Sequence, residues 1–199
     1  MLRLNVLLCL CGFTSLCFAE DAIENLPRPH YHQQASDPAW LKCTVQLHGH
    51  LGPMVTFGAR MGMAALTAVD AQGYFDVEVT CEGPFAAPPE SCFLDGIQIA
   101  TGATLGKRNL KWIEKEQIAV RIKNTRTGKT AELHPKPQFL SLLASLTTQA
   151  KAENKADSQR GGNARGDDDH RLDGLARMIA AMPEKQILIS GKRPTDGGE

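Results

Sequence analysis

The stretch from Pro53 to Ala68 most constrains how this chain can fold. Met54, Phe57, Met61, Ala64, Ala65 and Ala68 recur at helical spacing. Gly58, Ala59, Gly62, Ala64 and Ala65 are small, so another backbone can approach this helix closely. Pro53 suits the first helical position, where no amide hydrogen is required.

Directly before this helix stands His48-Gly49-His50-Leu51-Gly52-Pro53. Two imidazoles therefore face a helix start, whose free first-turn amides favour an anion or a carbonyl oxygen. His-x-His is not the i, i+4 pair of a helical metal site. It serves one ion only if the backbone turns at Gly49, or if one ring binds while the other orients it. A preceding helix is expected to start at Asp37-Pro38, with Asp37 as its N-cap and Pro38 in its first turn, and to run into the histidines.

The rest of the chain alternates between strand and helix signals. Tyr74 to Cys81 alternates as a strand, and Glu82 to Glu90 is a proline-rich loop. Cys92 opens a short helix that carries Asp95 and Gln98 on one face. Gly102 to Asn109 is a glycine turn with a cation; it lacks the spacing of a phosphate-binding loop. Gln117 to Lys123 and Lys129 to His134 form a hairpin around Asn124 to Gly128. Helices are predicted after Lys136-Pro137 and over Arg171 to Met182, with a last strand over Lys185 to Ser190. Residues 151–170 are highly charged and read as a flexible insert, within which Asp167-Asp168-Asp169-His170 is a solvated acidic run. Residues 20–36, with His30-Tyr31-His32, read as an extended, solvated leader, and 191–199 as a polar tail.

The ends and the cysteines bear on compartment. Arg3, an apolar run from Val6 to Cys17, and Cys17-Phe18-Ala19 before Glu20-Asp21 resemble a secretory signal over residues 1–19. The run is shorter than the roughly 20 apolar residues of a spanning helix. The expectation is export to the periplasm or medium, with no membrane insertion after cleavage. Of six cysteines, Cys43, Cys81 and Cys92 would remain. A Cys81–Cys92 disulfide and metal ligation by Cys92 are competing uses of the same thiol, the remaining alternative being an inert buried cysteine. Lys and Arg total 22 against 22 Asp and Glu, so no global charge points to nucleic acid or to an anionic membrane.

Several segments together resemble the FmdE-like family, named for formylmethanofuran dehydrogenase. They are HGHLGP before a small-residue helix, CFLDGIQIATGATLGKRNL, NTRTGK in a hairpin, and LDGLARMIAAMPEKQILI at the close. The resemblance implies one α+β domain over residues 37–190, with helices packed on a mainly antiparallel sheet, and a homodimer. It also implies zinc or another transition metal held by His and Cys side chains. Some members add a C-terminal Cys-rich zinc finger; with no cysteine after Cys92, that module is not expected here. Gly52 and Ala103 stand where the family commonly has cysteine, so two soft ligands are missing.

The metal candidates are His48, His50 and Cys92, with Cys81 nearby. The candidate ligand-binding residues are Asp95, Gln98, Thr101 and Lys107. The expected pocket combines the His48–His50 corner with the Cys92–Lys107 segment. The function expected is an exported accessory domain that binds a metal ion or small molecule. The alternatives are a metal-dependent hydrolase or lyase, or a catalytically silent structural subunit.

Overall fold

The computed structural model describes residues 26–159 and 164–191, without side-chain detail for 154–170 and 190–191. The expected signal peptide, most of the polar tail and residues 160–163 lie outside them. The helices are α1 (Ala39–His48), α2 (Pro53–Val69), α3 (Cys92–Thr101), α4 (Pro137–Gln159), α5 (Ala164–Ala181) and α6 (Glu184–Ile187). The strands are β1 (Val77–Gly83), β2 (Leu110–Glu114), β3 (Ala119–Asn124), β4 (Thr130–Pro135) and β5 (Leu188–Gly191). They form one sheet in the order β2-β1-β3-β4-β5. Only the β1–β2 pairing is parallel, with α3 in the crossover; the others are antiparallel. The expected α+β domain with a mainly antiparallel sheet is what the chain forms.

Alternation decides which face of the sheet is buried. Val77, Val79 and Cys81 of β1, Val120 and Ile122 of β3, and Leu133 of β4 enter the core against Phe57, Met61, Phe93 and Ile97 of α2 and α3. The opposite face is charged: Arg121 lies between Glu82 and Glu132, with 2.9 Å from its Nε to Glu132. A second cluster of Leu41, Val45, Leu51, Ala176 and Ala180 packs α1 on α5.

The α2–α3 contact is close, and it runs through glycines. A side chain on Gly58 would collide with the Phe93 carbonyl, and one on Gly96 with the Val55 carbonyl. On Gly62 a Cβ would stand 2.7 Å from the Ala100 methyl. The small residues of α2 thus admit the backbone of α3, as their spacing suggests. Arg60, on the same helix, donates to the Ala180 and Met182 carbonyls, both at 2.7 Å, and ties the end of α5 to α2.

Several local expectations need correction. The chain is helical over 151–159 and 164–170, where the charge pattern predicts a flexible insert; over 151–159 Ala, Lys, Glu and Gln sustain a helix without an apolar stripe. Tyr74–Asp76 is a 3-10 turn, so β1 begins only at Val77. Residues 184–187 are a helical turn before β5. β2 has no clear sequence signal, because only Leu110 of its five residues is buried and its charges mask the alternation.

Asp37 does not cap α1, and Pro38 holds the N-cap position instead. The Asp37 carboxylate accepts two bonds from Arg177 of α5, at 2.7 and 2.9 Å, and one from the Tyr31 hydroxyl at 2.7 Å. Arg177 holds this carboxyl down to about 2, while burial and the Asp37 bond push the Tyr31 hydroxyl up to about 12. The described part of the leader is therefore pinned to the domain while most of its residues stay exposed to solvent. Arg177 also donates to the His32 carbonyl, and the His30 amide to the Gly49 carbonyl, both at 2.7 Å.

The glycine contact yields a direct expectation. Gly96→Ala should destabilise the domain by about 3 kcal/mol or more, the upper end of overpacking costs, because the new methyl meets backbone rather than a movable side chain. Urea unfolding of the variant beside the parent measures this. A loss under about 1 kcal/mol would show that α2 and α3 part easily.

Candidate functional site

His48 is the last residue of α1. Gly49 follows at φ 95°, a left-handed conformation that suits glycine, and returns its amide to the Val45 carbonyl at 2.7 Å. The chain turns there, so both imidazoles reach the same corner, with ring centroids 4.6 Å apart. Gly52 and Pro53 then start α2 beside them.

The α2–α3 contact brings the start of α3 to this corner. His48 Nδ1 lies 2.7 Å from an Asp95 carboxylate oxygen, and the Gln98 amide donates to the other oxygen at 3.4 Å. A carboxylate only accepts, so in the neutral ring Nδ1 carries the proton and Nε2 presents a lone pair. The His48 side chain is 9% exposed, and its Nε2 is buried without a hydrogen-bond partner. Such an atom is costly to leave unsatisfied. Only the Thr56 hydroxyl shares that status among the described residues.

His48, His50 and Cys92 line a cleft of about 630 Å³. Its floor is Gly52 to Val55, one wall is the Pro88-Pro89-Glu90 loop, and the other is α4, through Leu140, Leu143 and Lys151. Most of this lining is apolar, with a few polar groups converging, which is the usual make-up of a small-molecule site. Burial, then the Asp95 charge, push the Cys92 thiol up, so at neutral pH it is a thiol and not an activated nucleophile.

The other sequence candidates are elsewhere. Cys81 is buried in β1, its thiol pushed up to about 12 by burial. Cys81 and Cys92 are both free thiols, so the disulfide considered from the sequence is not formed. Thr101 is buried at the far end of α3, donating to the Ile97 carbonyl at 2.7 Å. Lys107 lies beyond it, over the Phe75 ring at 5.7 Å. The expected pocket is thus corrected: only the first turns of the Cys92–Lys107 segment reach the histidine corner. A ten-residue helix of about 15 Å separates its two ends. Sequence reasoning missed the α4 wall and Glu90; the amphipathic pattern of α4 marks a buried face without saying what it faces.

The donor set does not fit a resident transition metal. Zinc takes three protein ligands in catalytic sites and four in structural ones. Among the described residues no group of three His, Cys, Asp or Glu side chains could hold a metal ion. A Cβ on Gly52 would stand 3.3 Å from His50 Nε2. The glycine therefore leaves open the place from which a thiolate would join the imidazoles.

A family model described as "FmdE, Molybdenum formylmethanofuran dehydrogenase operon" matches residues 47–188, well over half of the chain. The chain belongs to the FmdE family. The matched span contains the histidine corner, α2, α3 and the sheet up to the start of β5. A "Probable S-adenosyl-L-methionine-binding protein" of Archaeoglobus fulgidus is 30% identical over 77 residues, which cover 39% of this chain and 21% of that relative. The chain spans about a fifth of the length of that relative.

Restoring a ligand tests whether the missing thiol is what denies the corner a metal. Gly52→Cys should bind zinc at least about tenfold more tightly than the parent in competition with a chromophoric chelator. Equal affinities would show that the imidazoles are not available to an ion at that position.

Proposed function

We propose that this FmdE-family chain is an accessory domain that binds a small organic molecule in the cleft at the His48 corner. One observation carries the reading: a buried imidazole nitrogen, oriented by Asp95, has no partner among the described residues and belongs to a residue lining an apolar cleft. A ligand donor group, N–H or O–H, would satisfy it. The apolar walls would take the body of the molecule, and Glu90 would meet a positive group. The relative's name makes S-adenosylmethionine the first probe, since its adenine ring and sulfonium match an apolar slot edged by a carboxylate. We further propose that the domain works after export, as its secretory-type leader suggests, and as a homodimer, as the family resemblance implies.

A second reading is favoured by the same pair. A histidine whose Nδ1 is held by a carboxylate is the arrangement of a general base, so the domain would move a proton on its ligand. The metal-dependent version, with zinc or another transition metal, lacks a third ligand among the described residues, and no step runs through it.

Isothermal titration with S-adenosylmethionine and a panel of apolar-bodied amines and alcohols tests the binding reading. At least one compound should bind. His48→Ala should weaken that binding by about 10-fold or more, the cost of losing one buried hydrogen bond and its packing. Unchanged affinity in His48→Ala would refute the site. Turnover lost in both His48→Ala and Asp95→Asn, with binding retained in Asp95→Asn, would establish the general-base reading.

A further inference from the structure

The end of the molecule opposite the cleft carries motifs that the ligand site does not use. Three segments meet there: the Tyr74–Asp76 turn, the loop Thr104–Asn109, and the β3–β4 hairpin turn at Asn124–Gly128. Asn109 joins the first two, donating to the Tyr74 and Val77 carbonyls at 2.6 and 2.8 Å and accepting from the Thr104 amide at 3.0 Å. The hairpin adds a bond from the Thr125 amide to the Asp76 carbonyl at 2.8 Å and an Arg126–Asp76 ion pair at 2.9 Å. Asn124 reaches back to the Val69 and Asp70 carbonyls at the end of α2.

This clamp holds two non-glycine residues in left-handed conformations, Tyr74 at φ 57° and Arg108 at φ 58°. For a bulky residue such as tyrosine that is a genuine outlier, and strain of this kind persists only where the surroundings enforce it. What the strained turns present to solvent is apolar. Tyr74 is 65% exposed, Phe75 76% and Leu105 66%. Single exposed apolar side chains are ordinary; three of them, the most exposed large apolar residues among those described, on two clamped turns are not.

The charge beside them is positive. Lys107 holds its ammonium over the Phe75 ring at 5.7 Å and donates to the Thr104 hydroxyl at 3.4 Å, and Arg108 is exposed at the next position. Asp76 is engaged by Arg126, whereas Lys107 and Arg108 form no ion pair among the described residues. Aromatic and aliphatic tips beside two cations that no carboxylate neutralises match an anionic lipid headgroup layer: the tips enter the acyl boundary and the cations meet phosphates and carboxylates. Projecting turns need no matched pocket in a deformable surface, as they would on a protein.

We propose that the turn pair Tyr74–Asp76 and Thr104–Asn109 docks this domain peripherally on an anionic bilayer surface. Among the described residues no helix is long and apolar enough to cross a membrane. This inference is independent of the cleft and its ligand.

The full chain is tested by co-sedimentation with phosphatidylcholine vesicles, with and without phosphatidylserine. Wild type should bind the anionic vesicles, with binding weakened by salt. Phe75→Ser/Leu105→Ser should lower the partition coefficient more than about tenfold, and Lys107→Gln about fivefold, with unchanged thermal unfolding. Absent binding, equal binding to pure phosphatidylcholine, or full binding by the double variant would overturn the proposal. So would a self-association in sedimentation velocity that the double variant loses, since it would assign the patch to a second copy.

Discussion

The close approach of α2 and α3 is the constraint from which the other features follow. Gly58, Gly62 and Gly96 let two helices meet backbone to backbone, so each position along one is paired with a position along the other. At one end this sets Asp95 against His48. At the other it sets Thr101 against Gly73, where an added Cβ would strike the Thr101 carbonyl. Because packed interiors yield little to inserted atoms, both ends are held by the same contact.

The two ends differ in chemistry. The histidine corner is sheltered and directional: one carboxylate orients one imidazole, and the free nitrogen is left to a visitor. Polar groups there are few, and Cys92 contributes bulk and polarity rather than nucleophilicity. The opposite end is exposed and rigid, built from asparagine side chains that replace backbone partners at three turns. A family motif such as CFLDGIQIATGATLGKRNL spans both ends, so its residues do not serve one site. Cys92 lines the cleft and Asp95 orients His48 beside it, while Gly102, Lys107 and Asn109 belong to the turn clamp.

Much of this is legible in the chain. The small residues of α2 announce a close backbone contact, Gly49 announces the turn between the histidines, and alternation places β1, β3 and β4. What escapes is set by tertiary pairing. Asp37 has every local mark of an N-cap, yet Arg177, 140 residues away, outcompetes the helix amides for its carboxylate. Lys107 looks like part of the same pocket as Cys92 because proximity along the chain conceals the length of α3. Neither the α4 wall nor β2 can be placed from periodicity alone, since an apolar stripe does not name the surface it covers.

At the centre of this account, His48 offers an oriented, unprotonated Nε2 to a ligand in the cleft. Long-range ¹H–¹⁵N correlation of the histidine rings tests it most directly. The neutral His48 ring should show protonated Nδ1 and bare Nε2, and the Nε2 resonance should move when a cleft ligand is added. Asp95→Asn should release the tautomer preference. A neutral ring protonated at Nε2, or one averaging freely between tautomers in the parent protein, would contradict the account.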